Sequence, residues 1–190
     1  MNKQPELTGQ TRANLMEAFW SLYGERRIDQ ITVKEIAARA GYNRGTFYEY
    51  FSDVYQCLDH IETMSLPRFD ELPPMPSCRV PTTELFETFI RLYESRFKYY
   101  NFLLGERGDP AFQRKLIDSI KKAVVDSGQL PADLESLDLD FLLEYVLSGM
   151  LGILRYFFQT QPRISHAELL SIMYRIMDSG YMDRLRRHLG

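Results

Sequence analysis

The sequence predicts an all-α protein: an N-terminal three-helix domain carrying a helix-turn-helix, then a larger helical domain. Three observations lead there. Apolar residues recur at helical spacing along nearly all 190 positions. Helix-capping signals stand at several of the helix starts. No strand-like alternation, internal repeat or low-complexity tract interrupts the pattern.

The first helix is expected over Thr11–Arg26, where Leu15, Phe19, Leu22 and Tyr23 share one face. Thr32 and Glu35 have capping-box spacing, so a short helix should follow and bury Val33, Ile36, Ala37 and Ala40. Gly41 ends it, because glycine tolerates the left-handed backbone of a helix exit. Asn43 is the expected N-cap of a second short helix, Arg44–Phe51, with Phe47 and Phe51 four apart and pointing into one small core. Ser52 is placed as the cap of a fourth helix running to about Ser65.

Residues 66–81 hold five of the nine prolines and read as a loop, since proline has no amide proton to continue a helix. One helix is expected from Thr82 to about Leu104, with Leu85, Phe86, Phe89, Leu92, Tyr93 and Phe97 in register. Gly105–Gly108 breaks it, and Asp109-Pro110 opens another that ends near Gly128. A second loop covers 129–137. A long helix follows over about Leu139–Gln159, and Ser165 with Glu168 forms the capping box of the last one.

Composition narrows the class. Hydrophobic residues make up 45% and charged residues 26%, the balance of an ordinary globular protein. The longest uncharged apolar stretch, Tyr145–Leu154, is too short to span a membrane, and Met1–Leu7 lacks the apolar core of a secretion signal. A cytoplasmic protein without a membrane partner is therefore expected. Two cysteines, Cys57 and Cys78, make no disulfide scaffold. Cys57 and His60 lie three apart on one helix, but no second pair completes a metal site, so no metal and no cofactor is expected. Neither Gly-x-Ser-x-Gly nor a phosphate-binding glycine loop occurs, and no carboxylates form a recognisable catalytic pair, so the chain does not read as an enzyme.

The formal net charge is −3. Through residue 51 the chain carries seven Lys/Arg against six Asp/Glu, and the remainder carries 16 against 20. That weak asymmetry is compatible with a DNA-facing N-terminus without demonstrating one.

Two short helices joined by a glycine-containing turn form a unit that lays its second helix in the major groove. Here that helix opens Asn43-Arg44-Gly45-Thr46. Gly45 is a poor helix former, and close approach of backbone to DNA is one reason to keep it. Arg44 has the fork geometry for guanine O6 and N7. Thr46 suits a phosphate or a thymine methyl, and the Tyr42 and Tyr48 hydroxyls suit phosphate oxygens. Thr32 and Lys34 sit at a helix start, where backbone amides favour an anion.

The stretch Ile31-Thr32-Val33, Ile36-Ala37 and Ala40-Gly41-Tyr42-Asn43-Arg44-Gly45-Thr46-Phe47-Tyr48-Glu49-Tyr50-Phe51 resembles the N-terminal signature of the TetR family of transcriptional regulators. The segments Lys98–Leu104 and Gly108–Phe112 are similar to effector domains of one subgroup. The resemblance implies a DNA-binding domain over 8–54 and a helical effector-binding and dimerisation domain over 55–190. It implies a homodimer on a near-palindromic double-stranded operator, with Thr32, Tyr42, Arg44, Gly45, Thr46 and Tyr48 at the DNA; Lys34 and Asn43 join them as candidates from their places at the two helix starts. The expected function is a repressor released from its operator by a small-molecule effector bound in the C-terminal domain; the alternative is a regulator, and an activator, controlled by a protein partner. Family members often carry Lys three residues after the aromatic signature; Val54 stands there, so one phosphate contact is expected to be missing.

In the C-terminal half, fifteen of 25 aromatics cluster with helical spacing, mostly as core. Phe89, Tyr93, Phe97, Tyr100, Tyr145 and Met150 are the candidate ligand-pocket residues, with Arg155 as a polar group beside them. Gly149 and Gly152 permit close helix approach. With Tyr156, Leu170, Met173 and Met177 they are the candidate dimer interface, on the last two helices that pair across a two-fold axis in the family; packing within the chain is the alternative. Arg184, Arg186 and Arg187 are read as a solvated helix end.

Overall fold

The computed structural model describes residues 5–68, 83–126, 136–160 and 163–178. These form nine α-helices and a single 3₁₀ turn, with no strand among the described residues. They fall into two compact units, divided after Ser65.

The N-terminal unit contains α1 (Pro5–Glu25), the 3₁₀ turn Ile28–Gln30, α2 (Val33–Arg39), α3 (Arg44–Tyr48) and α4 (Val54–Ser65). The first helix begins at Pro5 rather than Thr11, which costs little because a proline in the first turn has no required amide proton and a pre-set φ. Its apolar face buries Leu15, Phe19, Leu22 and Tyr23. Phe19 and Tyr23 stack at 5.5 Å, and Trp20 meets Tyr23 edge-on at 5.9 Å. α1 packs on both α2 and α4, and α2 packs on α3.

The unit extends through α4, beyond the boundary at 54 drawn from the sequence. The reason is burial: Cys57, Leu58 and Ile61 of α4 are all buried, and the helix lies on α1. The cap of α4 also differs from expectation. Asp53 Oδ1, not Ser52, accepts from the Gln56 amide at 2.8 Å, and a carboxylate there opposes the positive helix start more strongly than a hydroxyl.

The C-terminal unit contains α5 (Thr83–Ser95), α6 (Phe97–Leu103), α7 (Phe112–Asp126), α8 (Ser136–Thr160) and α9 (His166–Asp178). The single helix expected over 82–104 is two. Ser95 Oγ donates to the Leu92 carbonyl at 3.0 Å, competing with the backbone ladder, and Arg96 leaves helical geometry at φ −113 and ψ 13. Asp109 Oδ1 accepts from Ala111 N at 2.8 Å, a turn that precedes α7. α8 starts at Ser136, slightly earlier than expected, so the end of the loop expected over 129–137 is helical; the rest of that loop, positions 69–81 of the proline-rich loop and the C-terminal arginines lie outside the described residues. The capping box of α9 forms, with Ser165 N donating to Glu168 Oε2 at 2.7 Å and Glu168 N to Ser165 Oγ at 3.2 Å.

α8 is long and apolar enough over Asp140–Thr160 to cross a membrane by length and composition. Its apolarity has another use here. Leu143, Leu147, Met150, Leu151, Leu154 and Phe157 are buried, and the helix packs against α6 and α7. Lys121 of α7 reaches Asp140 at 2.9 Å and Glu144 at 2.6 Å, clamping the α7–α8 pair. α5 packs on α9.

Candidate nucleic-acid interface

The helix-turn-helix is built as its residue types require. Thr32 and Glu35 complete the capping box: Thr32 N donates to Glu35 Oε2 at 3.0 Å, and Glu35 N to Thr32 Oγ1 at 3.3 Å. Ile36 and Ala37 are buried, while Val33 and Ala40 are only half-covered at its edges. Gly41 has φ +79, a conformation a side chain would strain. Tyr42 N then donates back to the Ala37 carbonyl at 2.8 Å, closing the turn. Asn43 Oδ1 caps α3 by accepting from Thr46 N at 2.9 Å. Phe47 is fully buried and contacts Phe51 at 5.4 Å, so α3 hangs on two aromatic anchors.

The opposite side of α3 faces solvent. Arg44 is exposed, and Tyr48 is 58% exposed although it touches Phe47 edge-on at 5.8 Å. Asn43 and Gly45 are exposed, Thr46 and Tyr42 half-buried. Gly45 has a reason the sequence did not suggest: a Cβ there would sit 3.0 Å from Asn43 Oδ1, crowding the cap. Thr32 is partly committed, since its hydroxyl donates to Glu35 Oε2 at 2.7 Å. Lys34 is exposed at the start of α2.

Through Ser65 the chain carries seven Lys/Arg against nine Asp/Glu, and these charges are distributed unevenly. Arg26 Nη2 donates to Glu35 at 2.8 Å, and Arg39 Nη1 donates to Glu25 and to Ser21, each at 2.8 Å. Each of these bonds ties α2 to the chain at or just after the C-terminal end of α1. The Glu35 carboxyl is held down at about 2 by the Thr32 hydroxyl, then the Arg26 guanidinium, then the Thr32 amide. The Arg39 guanidinium likewise holds the Glu25 carboxyl below its ordinary range. Two carboxylates are thereby neutralised, while Lys34 and Arg44 have no ion-pair partner among the described residues. Sequence reasoning missed Arg26, Arg39 and also Asn14, whose Nδ2 donates to the Tyr42 hydroxyl at 3.1 Å. Asn14 carried a signal, because asparagine is unfavourable inside a helix.

On α4, burial pushes the Cys57 thiol up to about 12. The His60 ring packs edge-on against Phe51 at 5.9 Å.

In the C-terminal unit the aromatic candidates are largely core. Tyr93 stacks on Phe158 at 4.9 Å and 7°, Phe97 meets Phe158 at 5.4 Å, and Tyr100 meets both Tyr93 and Phe112. Phe89 and Met150 are buried and Phe97 is half-buried. The Tyr93 hydroxyl is buried without a hydrogen-bond partner among the described residues, and burial pushes it up to about 12. Tyr145 does not join this group: it is 74% exposed, because its position on α8 turns away from the face that buries Met150. A cavity of about 40 Å³ lies among Leu104, Gln113, Ser148, Leu151, Gly152 and Arg155, where Arg155 Nη1 donates to the Leu104 carbonyl at 3.3 Å.

Of the candidate interface residues, Gly149 and Tyr156 are exposed on α8, and Gly152 is half-buried. On α9, Leu170 is half-buried. Met173 is fully buried, so it is spent on the core of its own unit rather than presented to a second chain. The Met177 side chain lies outside the described residues.

An exposed recognition helix on a three-helix scaffold, followed by a helical second unit, defines the class of helix-turn-helix regulators. Residues 15–61 match the family model for bacterial regulatory proteins of the tetR family, and residues 82–179 match a model for the transcriptional regulator C-terminal region. The chain belongs to the TetR family of transcriptional regulators, whose members bind DNA operators as dimers.

Solved structures agree in fold. A TetR transcriptional regulator from Streptococcus agalactiae 2603V superposes with a TM-score of 0.63 at 20% identity, covering 90% of this chain and 95% of that one. SmeT, the repressor of the Stenotrophomonas maltophilia multidrug efflux pump SmeDEF, gives 0.58 at 22% identity, with 87% of each chain covered. The dihydroxyacetone kinase operon activator DhaS gives 0.54 at 16% identity, covering 88% and 97%. No curated protein matches in sequence.

Proposed function

We propose that this regulator is a repressor that a bound effector releases from its operator. As a homodimer it sets two α3 helices into successive major grooves of a near-palindromic site, about one turn or slightly more apart. Arg44 reads a guanine, Thr46 and Tyr48 contact backbone or base, and Lys34, Tyr42 and the Asn43 amide hold phosphates. Thr32 contributes its backbone position and the cap more than its hydroxyl. The observation that carries this reading is the split character of α3, with Phe47 sealed in the core while Arg44 and Tyr48 stand in solvent.

The C-terminal unit is the effector and dimerisation part. The exposed face of α8, with Phe141, Tyr145, Gly149 and Tyr156, pairs with its copy across the two-fold axis. An effector favours a state whose head spacing no longer fits DNA, so its differential affinity shifts the population off the operator. A mobility-shift assay on the DNA flanking the protein's own gene tests this. Preferential binding over random DNA, with derepression of adjacent genes on deletion, is the expected result; equal affinity for both DNAs overturns it.

A second reading has its own support. α8 exposes large apolar side chains. DhaS, similar in fold, is described as an operon activator. Control by a protein partner, with activation instead of repression, predicts that deletion lowers transcription of the adjacent genes.

A further inference from the structure

The Tyr42 hydroxyl is held from one side only. Asn14 Nδ2, from the middle of α1, donates to it at 3.1 Å, so the phenolic oxygen is an acceptor in this contact. Gln10 Nε2 donates to Asn14 Oδ1 at 2.8 Å, one helical turn earlier, so both the oxygen and the nitrogen of the Asn14 amide are engaged. The Tyr42 backbone is equally fixed, by the hydrogen bond its N–H donates to the Ala37 carbonyl and by the left-handed Gly41 before it. Among the described residues no acceptor takes the phenolic proton, which leaves it directed away from Asn14.

We propose that Asn14 is a positioning residue for DNA binding: by donating to the Tyr42 oxygen it keeps the phenolic proton pointed outward, ready to be donated to a backbone phosphate. Hydrogen bonds in a chain polarise one another, so the donation from Gln10 through Asn14 also makes that proton a better donor. The inference rests on the reading of Tyr42 as a phosphate contact. It accounts for an asparagine in the interior of α1, a place where its intrinsic preference is poor.

The test is a double-mutant cycle with Asn14→Ala and Tyr42→Phe, with Asn14→Asp as a third variant. Binding is measured to a duplex selected from a random-sequence library by the wild-type protein, together with the thermal midpoint of each variant. Tyr42→Phe is expected to weaken binding roughly fivefold, the size of one net hydrogen bond. Its salt dependence should stay unchanged, because no charge is lost. Asn14→Ala should cost part of that factor in the wild-type background and nothing in the Tyr42→Phe background, with no fall in thermal midpoint, since alanine is the better helix former. Asn14→Asp can only accept, so it turns the phenolic proton inward; its loss should exceed that of Asn14→Ala and shrink in the Tyr42→Phe background to what its charge alone costs. If Tyr42→Phe changes nothing, the phosphate reading of Tyr42 is wrong and the inference goes with it. If Tyr42→Phe weakens binding while Asn14→Ala is silent, or is equally costly in both backgrounds, the phosphate reading stands and the positioning role is overturned.

Discussion

Arg26 donates to the Glu35 carboxylate at 2.8 Å, joining the segment just after α1 to the first turn of α2. The same carboxylate caps Thr32, so one side chain both starts the first helix of the helix-turn-helix and fastens it to α1. Neither bond is buried, and surface ion pairs add little stability on average. Their use is in direction: they fix the angle at which α2, and α3 behind it, leave the scaffold.

The pH dependence of stability follows from that carboxylate. Its folded value of about 2 lies below the ordinary 4.5, so its contribution is present above pH 4.5 and is lost as pH falls toward 2. Glu35→Gln should therefore lower the thermal midpoint at neutral pH, and the gap from wild type should close between pH 4.5 and 2. Thr32→Ala should cost about 1 kcal/mol through the lost cap. A gap that persists unchanged at pH 2 would show that Glu35 acts through something other than its charge.

Charge at the DNA face should separate the roles of Lys34, Arg44 and Val54. Lys34→Ala should weaken binding to all sequences alike and reduce the salt slope by about one. Arg44→Ala should cost about 1–3 kcal/mol on the preferred sequence and relax preference at one base position. Val54→Lys supplies the phosphate contact the family often has, and should raise the salt slope by about one. Salt titrations of binding to a selected and a random duplex measure all three.

Gly149 tests the α8 face. A Cβ at this position meets nothing within 4 Å among the described residues, so their packing does not need glycine there. Gly149→Leu should not lower the thermal midpoint of the protomer, since leucine is the better helix former, and should weaken dimerisation at least tenfold, about 1.4 kcal/mol, by sedimentation equilibrium. An unchanged dissociation constant would place the dimer interface elsewhere.

Tyr93→Phe removes a buried hydroxyl that has no partner among the described residues. Relieving that desolvation should leave stability unchanged or raise it by about 1 kcal/mol. If an effector supplies the missing partner, the same variant should respond less to it in a DNA-release assay. A fall in stability would mean that the hydroxyl is satisfied in solution.

Much of this was legible in the sequence because it is local. Thr32 with Glu35, Asn43 with Thr46, Gly41 and the Phe47–Phe51 pair each act within a few residues, and spacing alone exposes them. The same holds for Ser165 with Glu168. What the sequence hid depends on contacts between elements or on competition within a turn. Arg26, Arg39 and Asn14 matter through partners nine to 28 positions away, and periodicity carries no trace of such pairs. The break at Arg96 comes from Ser95 bonding its own helix, and a hydrophobic register that runs through the break conceals it. Met173 on α9 is buried and Tyr145 on α8 exposed, against expectation, because which face of a helix is covered depends on the neighbours it meets. The charge count was the least informative signal, since Glu25 and Glu35 are consumed by arginines away from α3.

The central claim is that α3 reads DNA in a two-fold arrangement. Selection of duplexes from a random-sequence library by the full-length protein, followed by footprinting, tests it most directly. The expected result is enrichment of a near-palindromic site with half-sites about one helical turn or slightly more apart, protection centred on both halves, and loss of the preference with Arg44→Ala. Enrichment of no sequence over random DNA, or a preference that survives Arg44→Ala intact, would contradict it.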